Sequence, residues 1–303
     1  RGLKGYEIMR IKIKSPMTVA NLGSGFDSIG VALNIYNETE FRITEGKKGK
    51  VMIEVSGYGK GELEDKKKNL LFKIFKKYVK RNFGYIEIKQ KNLIPLRKGL
   101  GSSATAIIHG IIGAFLWNGK NFSMKEVAIE GAKIEGHPDN VFPSVFGGIS
   151  IIIKDKGIEF IKFLKDYKLL IIAPEEELRT EFARRILPKK IPLNDAIFNI
   201  QRFGSLVYGL LTSEKNFIKI GTEDRIHERY RIKFIPGGKD IIKKLFELGS
   251  FGAGISGSGP SIFSFIDDER IKEEIERFLR EKKLEVKTFI AKISKKGTEW
   301  RRL

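Results

Sequence analysis

The chain has no cysteine and only three histidines, His109, His137 and His227. Disulfides, thiolate nucleophiles and cysteine-based zinc sites are therefore excluded. The histidines show no H-x-x-x-H spacing, so no structural zinc site is expected. No apolar run approaches the ~20 residues that a membrane-spanning helix needs. The polar, short segment Arg1–Ile8 does not have the form of a signal peptide. Met9 stands directly before a strand-like run, so residues 1–8 read as an extension ahead of the natural start. The expected location is the cytoplasm, with no membrane partner.

What is abundant is positive charge: 57 Lys and Arg against 37 Asp and Glu, a net +20. Such an excess suits a nucleic-acid binder or a Lys-rich surface of the heat-adapted kind. The basic residues are spread over the whole length with acids interspersed, and no basic tail or aromatic-basic motif stands out. The second reading is therefore preferred, with no nucleic-acid partner. A basic site would also draw in anionic substrates. At 303 residues and 41% hydrophobic, the chain can build two modest domains.

Periodicity places strands at 10–14, 40–44, 51–55 and 85–89. Helices follow at 69–81, 102–117 and 123–135, the last opened by the capping-box pair Ser123 and Glu126. Strands are expected at 149–154, 169–173, 261–266 and 286–293, and helices at 193–211, 239–248 and 270–282. Helices on one side of an antiparallel sheet, an α+β arrangement, suit this order. The domain boundary is expected near 154–168, giving units of 9–160 and 161–303.

One segment stands out chemically: Pro95, Leu96, Arg97, Lys98, Gly99, Leu100, Gly101, Ser102, Ser103, Ala104 and Thr105. It follows a strand and opens a helix. Its glycines can take positive φ and let the backbone approach a ligand. The free amides and dipole of the helix start favour an anion. It is not a Walker A loop, because no Lys follows the second Gly. Taken alone, it could equally be a tight turn with a serine cap. Gly110 and Gly113, inside the helix, are expected to allow close packing against the sheet.

Three further segments extend the pattern. They are Ser15-Pro-Met-Thr-Val-Ala-Asn-Leu-Gly-Ser-Gly-Phe-Asp-Ser-Ile-Gly30, Glu135-Gly-His-Pro-Asp-Asn140 with Gly147-Gly148, and Gly252-Ala-Gly-Ile-Ser-Gly-Ser-Gly-Pro-Ser261. In combination with the loop they resemble the GHMP kinases, and within them the homoserine kinase family, over nearly the whole chain from Met9. Arg97 and Lys98 depart from the pattern, which usually carries small residues there. They would either strengthen nucleotide binding or face solvent, and solvent is expected for at least one.

The resemblance implies a two-domain α+β fold. Its N-terminal domain is like the second domain of ribosomal protein S5, and its C-terminal domain is ferredoxin-like. It implies ATP-dependent phosphorylation of L-homoserine to O-phospho-L-homoserine, a step toward threonine; mevalonate, shikimate and sugars are the rival acceptors. ATP would lie on residues 95–105. Mg²⁺ would lie on a loop serine, Ser102 or Ser103 with Ser103 preferred, and a glutamate, Glu130 or Glu135 with Glu135 preferred. Asn21 and Asp27 would take the substrate ammonium, and Arg184 and Arg231 its carboxylate. Asn140 would meet the reacting hydroxyl, with Arg184 also at the catalytic end. Asn cannot take a proton at neutral pH, so the implied mechanism lacks a strong protein base. His137 and Asp139 are read as bracing that motif, and the 256–259 turn as shaping the pocket. Dimers occur in the family.

Overall fold

The computed structural model describes residues 8–303. Residues 1–7 of the expected extension lie outside the described residues, and Ile8 already pairs with Thr44. The first half runs β1 (Ile8–Ala20), β2 (Ile29–Thr44), β3 (Lys50–Gly57), α1 (Leu70–Tyr78), β4 (Tyr85–Asn92), α2 (Ser102–Trp117), α3 (Met124–Glu135), α4 (Val141–Phe146), β5 (Ile149–Lys154) and β6 (Ile158–Phe163). The second half runs β7 (Lys168–Pro174), α5 (Thr180–Arg185), α6 (Leu193–Thr212), α7 (Lys215–Gly221), α8 (Glu228–Arg231), α9 (Gly238–Glu247), β8 (Ala253–Ile255), β9 (Ile262–Ile266), α10 (Arg270–Glu281), β10 (Val286–Lys292) and β11 (Glu299–Arg302).

Alternation decides the strands of the first half. In β1, Met9, Ile11 and Ile13 point inward while Arg10, Lys12 and Lys14 point outward; in β4, Ile86 and Ile88 do the same. Seven strands form the first sheet, with the path β11-β1-β2-β4-β3 and with β5 and β6 added beside β2. All pairs are antiparallel except β3 with β4, which α1 connects. α2 is apolar on every side because it is buried, and it lies over Ile11, Phe41 and Ile86. Gly113 lets it approach the Phe41 ring, as expected for sheet packing. Gly110 instead meets the backbone of α1 at Leu71.

The second sheet is antiparallel, in the order β10-β7-β9-β8. With α9 and α10 on one face, this is the ferredoxin-like order. Its other face brings Leu169, Ile171, Phe263 and Phe265 onto Met17, Val31 and Leu33 of the first sheet. The chain crosses between the sheets at 164–167, and β11 returns to the first sheet beside β1. The elements that periodicity missed, such as β6, α5, α7 and β11, are at most seven residues long. That is too short to show a helical or strand period against noise.

One buried carboxyl makes the fold sensitive to pH. Glu228 accepts the Ile255 amide at 2.6 Å. Burial, helped by nearby Asp224, pushes its pKa up to about 8. The native state therefore holds a proton that the unfolded chain releases near the ordinary carboxylate value. Stability should be highest on the acid side and fall as pH rises from about 5 to about 8. Denaturant titrations across that range are expected to show this slope, and Glu228→Gln should flatten it.

Candidate active site

The 95–105 segment lies at the edge of a cavity of about 240 Å³. Gly99 and Gly101 stand at φ +69° and +74°. A Cβ on Gly101 would lie 1.9 Å from Thr18 Oγ1, and one on Gly99 would lie 2.2 Å from the Ser256 carbonyl. Only glycine satisfies both demands. Gly101 is the residue before α2, and no side chain caps that helix. The alternative of an ordinary serine cap is thus not met, because a left-handed glycine stands at that position. Ser102 and Ser103 begin the helix and line the cavity, where the uncapped helix start favours an anion. Ala104 points into the core beneath the loop instead.

Arg97 and Lys98 take different courses. Arg97 is exposed and pairs with Glu62 and, at 3.1 Å, with Glu177. Lys98 is buried, and its Nζ donates to the Glu175 and Glu176 carbonyls at 2.5 Å each. Solvent exposure therefore holds for Arg97 only. Burial pulls the Lys98 pKa below its ordinary value.

The other motifs converge on this loop. Thr18 Oγ1 donates to Asn140 Oδ1 at 2.7 Å. Ser256 Oγ donates to the Gly99 carbonyl at 2.7 Å, and the Gly257 amide to the Ala20 carbonyl at 3.0 Å. Asn21 donates from Nδ2 to the Gly257 carbonyl at 3.0 Å and accepts the Asp27 amide at 3.1 Å. Asn21 and Asp27 both hold left-handed backbones, at φ +72° and +56°. Asn and Asp tolerate this region best among non-glycine residues, at a cost on the order of 1 kcal/mol each. Asn21 is thus a brace for the turn that presents Asp27.

Asp27 meets Arg184 in a two-pronged pair, with Nη1 to Oδ2 at 3.0 Å and Nη2 to Oδ1 at 2.6 Å. Arg231 is fully buried behind it, donating to the Gly257 carbonyl at 2.9 Å and the Ala183 carbonyl at 3.2 Å. Burial and the neighbouring Arg184 charge lower Arg231 to about 10, which leaves it cationic at neutral pH. Both guanidinium groups lie near the Phe26 ring, at 5.7 Å and 5.2 Å.

Glu135 receives a short hydrogen bond from Ser103 Oγ. The residue keeps some surface, but its carboxyl is enclosed, and burial raises its pKa. Glu130 is elsewhere, bound by Tyr78 and Lys133 at 2.8 Å and 2.7 Å. Of the two glutamates, only Glu135 stands with the loop serine. Among the described residues, no group of three or more His, Asp or Glu could hold a metal alone. A Ser–Glu oxygen pair suits Mg²⁺, which needs one or two protein oxygens and takes the rest from phosphate and water. His137 Nδ1 lies 2.6 Å from Asp139, which also accepts from Asn140 at 3.4 Å. Burial alone would lower His137, but the Asp139 bond and the Asp139 and Glu135 charges outweigh it and raise it.

The motif residues Asn21, Asp27, Glu135, Asn140, Arg184 and Arg231 therefore share one cavity with the loop. Sequence reasoning missed the wall made by Leu178, Arg179 and Thr180, which carries no motif. It also missed a second cavity of about 180 Å³ beyond the loop, lined by Asn37, Asn69, Gln90 and Leu96. The two cavities meet at Arg97, Ser102 and Ser103. Polar side chains on inward strand positions, such as Gln90 in β4, were the signal available for it.

The family model described as "GHMP kinases N terminal domain" matches residues 69–148, and "GHMP kinases C terminal" matches 206–284. The site is thus that of a GHMP kinase. A homoserine kinase of Caldanaerobacter subterraneus is 37% identical over 299 residues, 95% of each chain. One from Aquifex aeolicus is 35% identical over 273 residues, 88% of this chain and 90% of that one. The crystal structure of homoserine kinase from Cytophaga hutchinsonii superposes with a TM-score of 0.83 at 28% identity, covering 99% of this chain and all of that one. The chain belongs to the homoserine kinases within the GHMP kinase family. Mevalonate kinase from L. major, at 13% identity and a TM-score of 0.71, shares the fold.

Gly101→Ala tests the cradle. Strain at positive φ and the clash with Thr18 should cost roughly 2–4 kcal/mol, read by urea unfolding. Nucleotide affinity, read by calorimetry, should fall at least tenfold.

Proposed function

We propose that this protein transfers the γ-phosphoryl group of ATP to the hydroxyl of L-homoserine, giving O-phospho-L-homoserine for threonine synthesis. The observation that carries the reading is the Asp27–Arg184 pair beside Asn140 and the phosphate loop. A carboxylate and an arginine already matched to each other present the two charges that a zwitterionic amino acid needs. On binding, the substrate ammonium takes Asp27 and its carboxylate takes Arg184 and Arg231.

The backbone of 95–105 and the Ser102 and Ser103 hydroxyls hold the phosphates, and the nucleoside end occupies the second cavity. Ser103 and Glu135 are the residues that would hold Mg²⁺, which supplies charge neutralisation of the phosphates when bound. Asn140, its carbonyl engaged by Thr18, orients the acceptor hydroxyl and takes no proton. The γ-phosphate or solvent receives that proton. His137 and Asp139 hold the Asn140 turn. Residues 9–160 make up most of the ATP-binding unit, whose sheet also takes in the end of β6 and β11, and 161–303 the unit that supplies the arginines.

The protein acts in the cytoplasm, without a nucleic-acid partner. Among the described residues no helix is long and apolar enough to cross a membrane. A homodimer is supported by the outer face of α6, where Leu193, Ile197, Ile200, Tyr208 and Leu211 stand exposed in one uncharged stripe. In a chain of net +20, a charge-free face is where two copies meet with least repulsion.

A coupled ADP-release assay over acceptor alcohols tests the reaction. Turnover is expected with L-homoserine; turnover with mevalonate alone would overturn the reading. Asn140→Asp should not raise turnover, and a large gain with a new carboxylate-like pH limb would show that a base is wanted there. Glu135→Gln should lower kcat by about 10²-fold or more and raise the Mg²⁺ requirement. Glu130→Gln should stay within about twofold, as surface changes do.

A further inference from the structure

The five residues 175–179 join β7 to α5, the helix that carries Arg184. They form part of the cavity wall, yet among them only Leu178 is buried. Their backbone is fixed chiefly from outside. Lys98 Nζ donates to two consecutive carbonyls, Glu175 and Glu176, at 2.5 Å each. Lys98 is itself 8% exposed and lies within the phosphate loop. Its own carbonyl accepts the Ser261 amide at 3.3 Å, so its backbone is held by the late glycine segment. The residue lines the cavity, but its ammonium is taken up by carbonyls of the second half of the molecule.

We propose that Lys98 is a positioning residue for the amino-acid end of the site. It clamps the β7–α5 connection to the phosphate loop and so sets where Arg184 stands relative to the transferring phosphate. A lysine in a phosphate loop would ordinarily be assigned to the phosphates. Here two carbonyls hold it, and one residue separates the second of them from the Leu178–Thr180 wall. Without this clamp the 175–179 connection would keep, among the described side-chain contacts to the phosphate loop, the exposed Arg97–Glu177 pair, while α5 itself is held at its far side by Arg184–Asp27 and by Arg231 on the Ala183 carbonyl. Exposed pairs of that kind hold geometry weakly. The inference rests on the phosphoryl-transfer reading above for its kinetic arm only.

The test is a pair of variants with a surface control. Lys98→Met keeps the stem and removes the donors; Lys98→Gln keeps one shorter donor. Lys287→Ala removes the exposed ion pair with Glu175 and a contact over the Tyr58 ring at 5.2 Å, and leaves both Lys98 bonds in place. The KM for L-homoserine should rise about tenfold in Lys98→Met and less in Lys98→Gln, with the KM for ATP moving less than about twofold. Amide hydrogen exchange across 175–183 should quicken in both, and Lys287→Ala should match the parent protein in every measure. A rise in the KM for ATP with that for homoserine unchanged would assign Lys98 to the phosphates and overturn the proposal. A loss of melting temperature with both KM values unchanged would overturn it as well. If Lys98→Met does not fold, Lys98→Gln carries the comparison. If the parent protein does not turn over homoserine, the functional reading fails separately, and unchanged exchange at 175–183 would then overturn the clamp.

Discussion

The contact on which the rest depends is the approach of the 256–259 turn to Gly99. There is no room for a side chain at Gly99, because the Ser256 carbonyl stands 2.2 Å from where its Cβ would be. Ser256 Oγ then closes the gap by bonding the Gly99 carbonyl. With the Ser261 amide on the Lys98 carbonyl, this contact lays the second sheet directly on the phosphate loop. The apolar face shared by Val31, Leu33, Phe263 and Phe265 supplies the driving force for joining the halves. The glycine contact decides where they join.

Around that contact the polar groups answer one another's charges before any ligand arrives. Asp27 and Arg184 are paired, Glu135 has Ser103, and His137 has Asp139. Removing charge partners from a half-buried site is costly, so each must be replaced by a ligand group of the same sign. An amino acid carries both signs at once and can replace both partners of the Asp27–Arg184 pair together. An acceptor without an ammonium would leave Asp27 facing nothing of opposite charge, a physical ground for discrimination among alcohols.

Much of this was legible in the sequence, and the exceptions have physical reasons. The long elements followed from periodicity: α2 spans the 102–117 that its pattern indicated, and α3 is capped by Ser123. The glycine motifs marked the loop because only glycine fits its close contacts. Four pieces of the site were not legible. The Leu178–Thr180 wall and helix α5 are too short for a period. The second cavity is lined by residues from separate strands and a loop. Lys98 reads as a cation for nucleotide or for solvent until its carbonyl partners, 77 and 78 positions away, are seen. Glu135 is preferred over Glu130 in the sequence because it opens the Glu-Gly-His-Pro-Asp-Asn motif, and the fold places it beside Ser103 and Glu130 beside Tyr78.

The return of β11 to the first sheet has a consequence for how the protein is made. β1 pairs along one edge with β11, and Ser15 contacts Thr298 across 283 positions of chain at 2.7 Å. Thr298 also donates to the carbonyl of Ser144 at 2.9 Å, in the helix that begins right after Asn140. Ser15 in turn lies 2.9 Å from His109, inside the helix that starts at the phosphate loop. On the ribosome the residues of the ATP-binding half emerge first, but one edge of their sheet stays open until β11 follows. The nascent chain thus carries an unpaired strand edge through most of its synthesis, the condition under which edges recruit wrong partners. Along β1, Lys12 is paired with Glu38 and Glu40, but Arg10 and Lys14 put like charge on the flank of that waiting edge and disfavour its pairing with another copy.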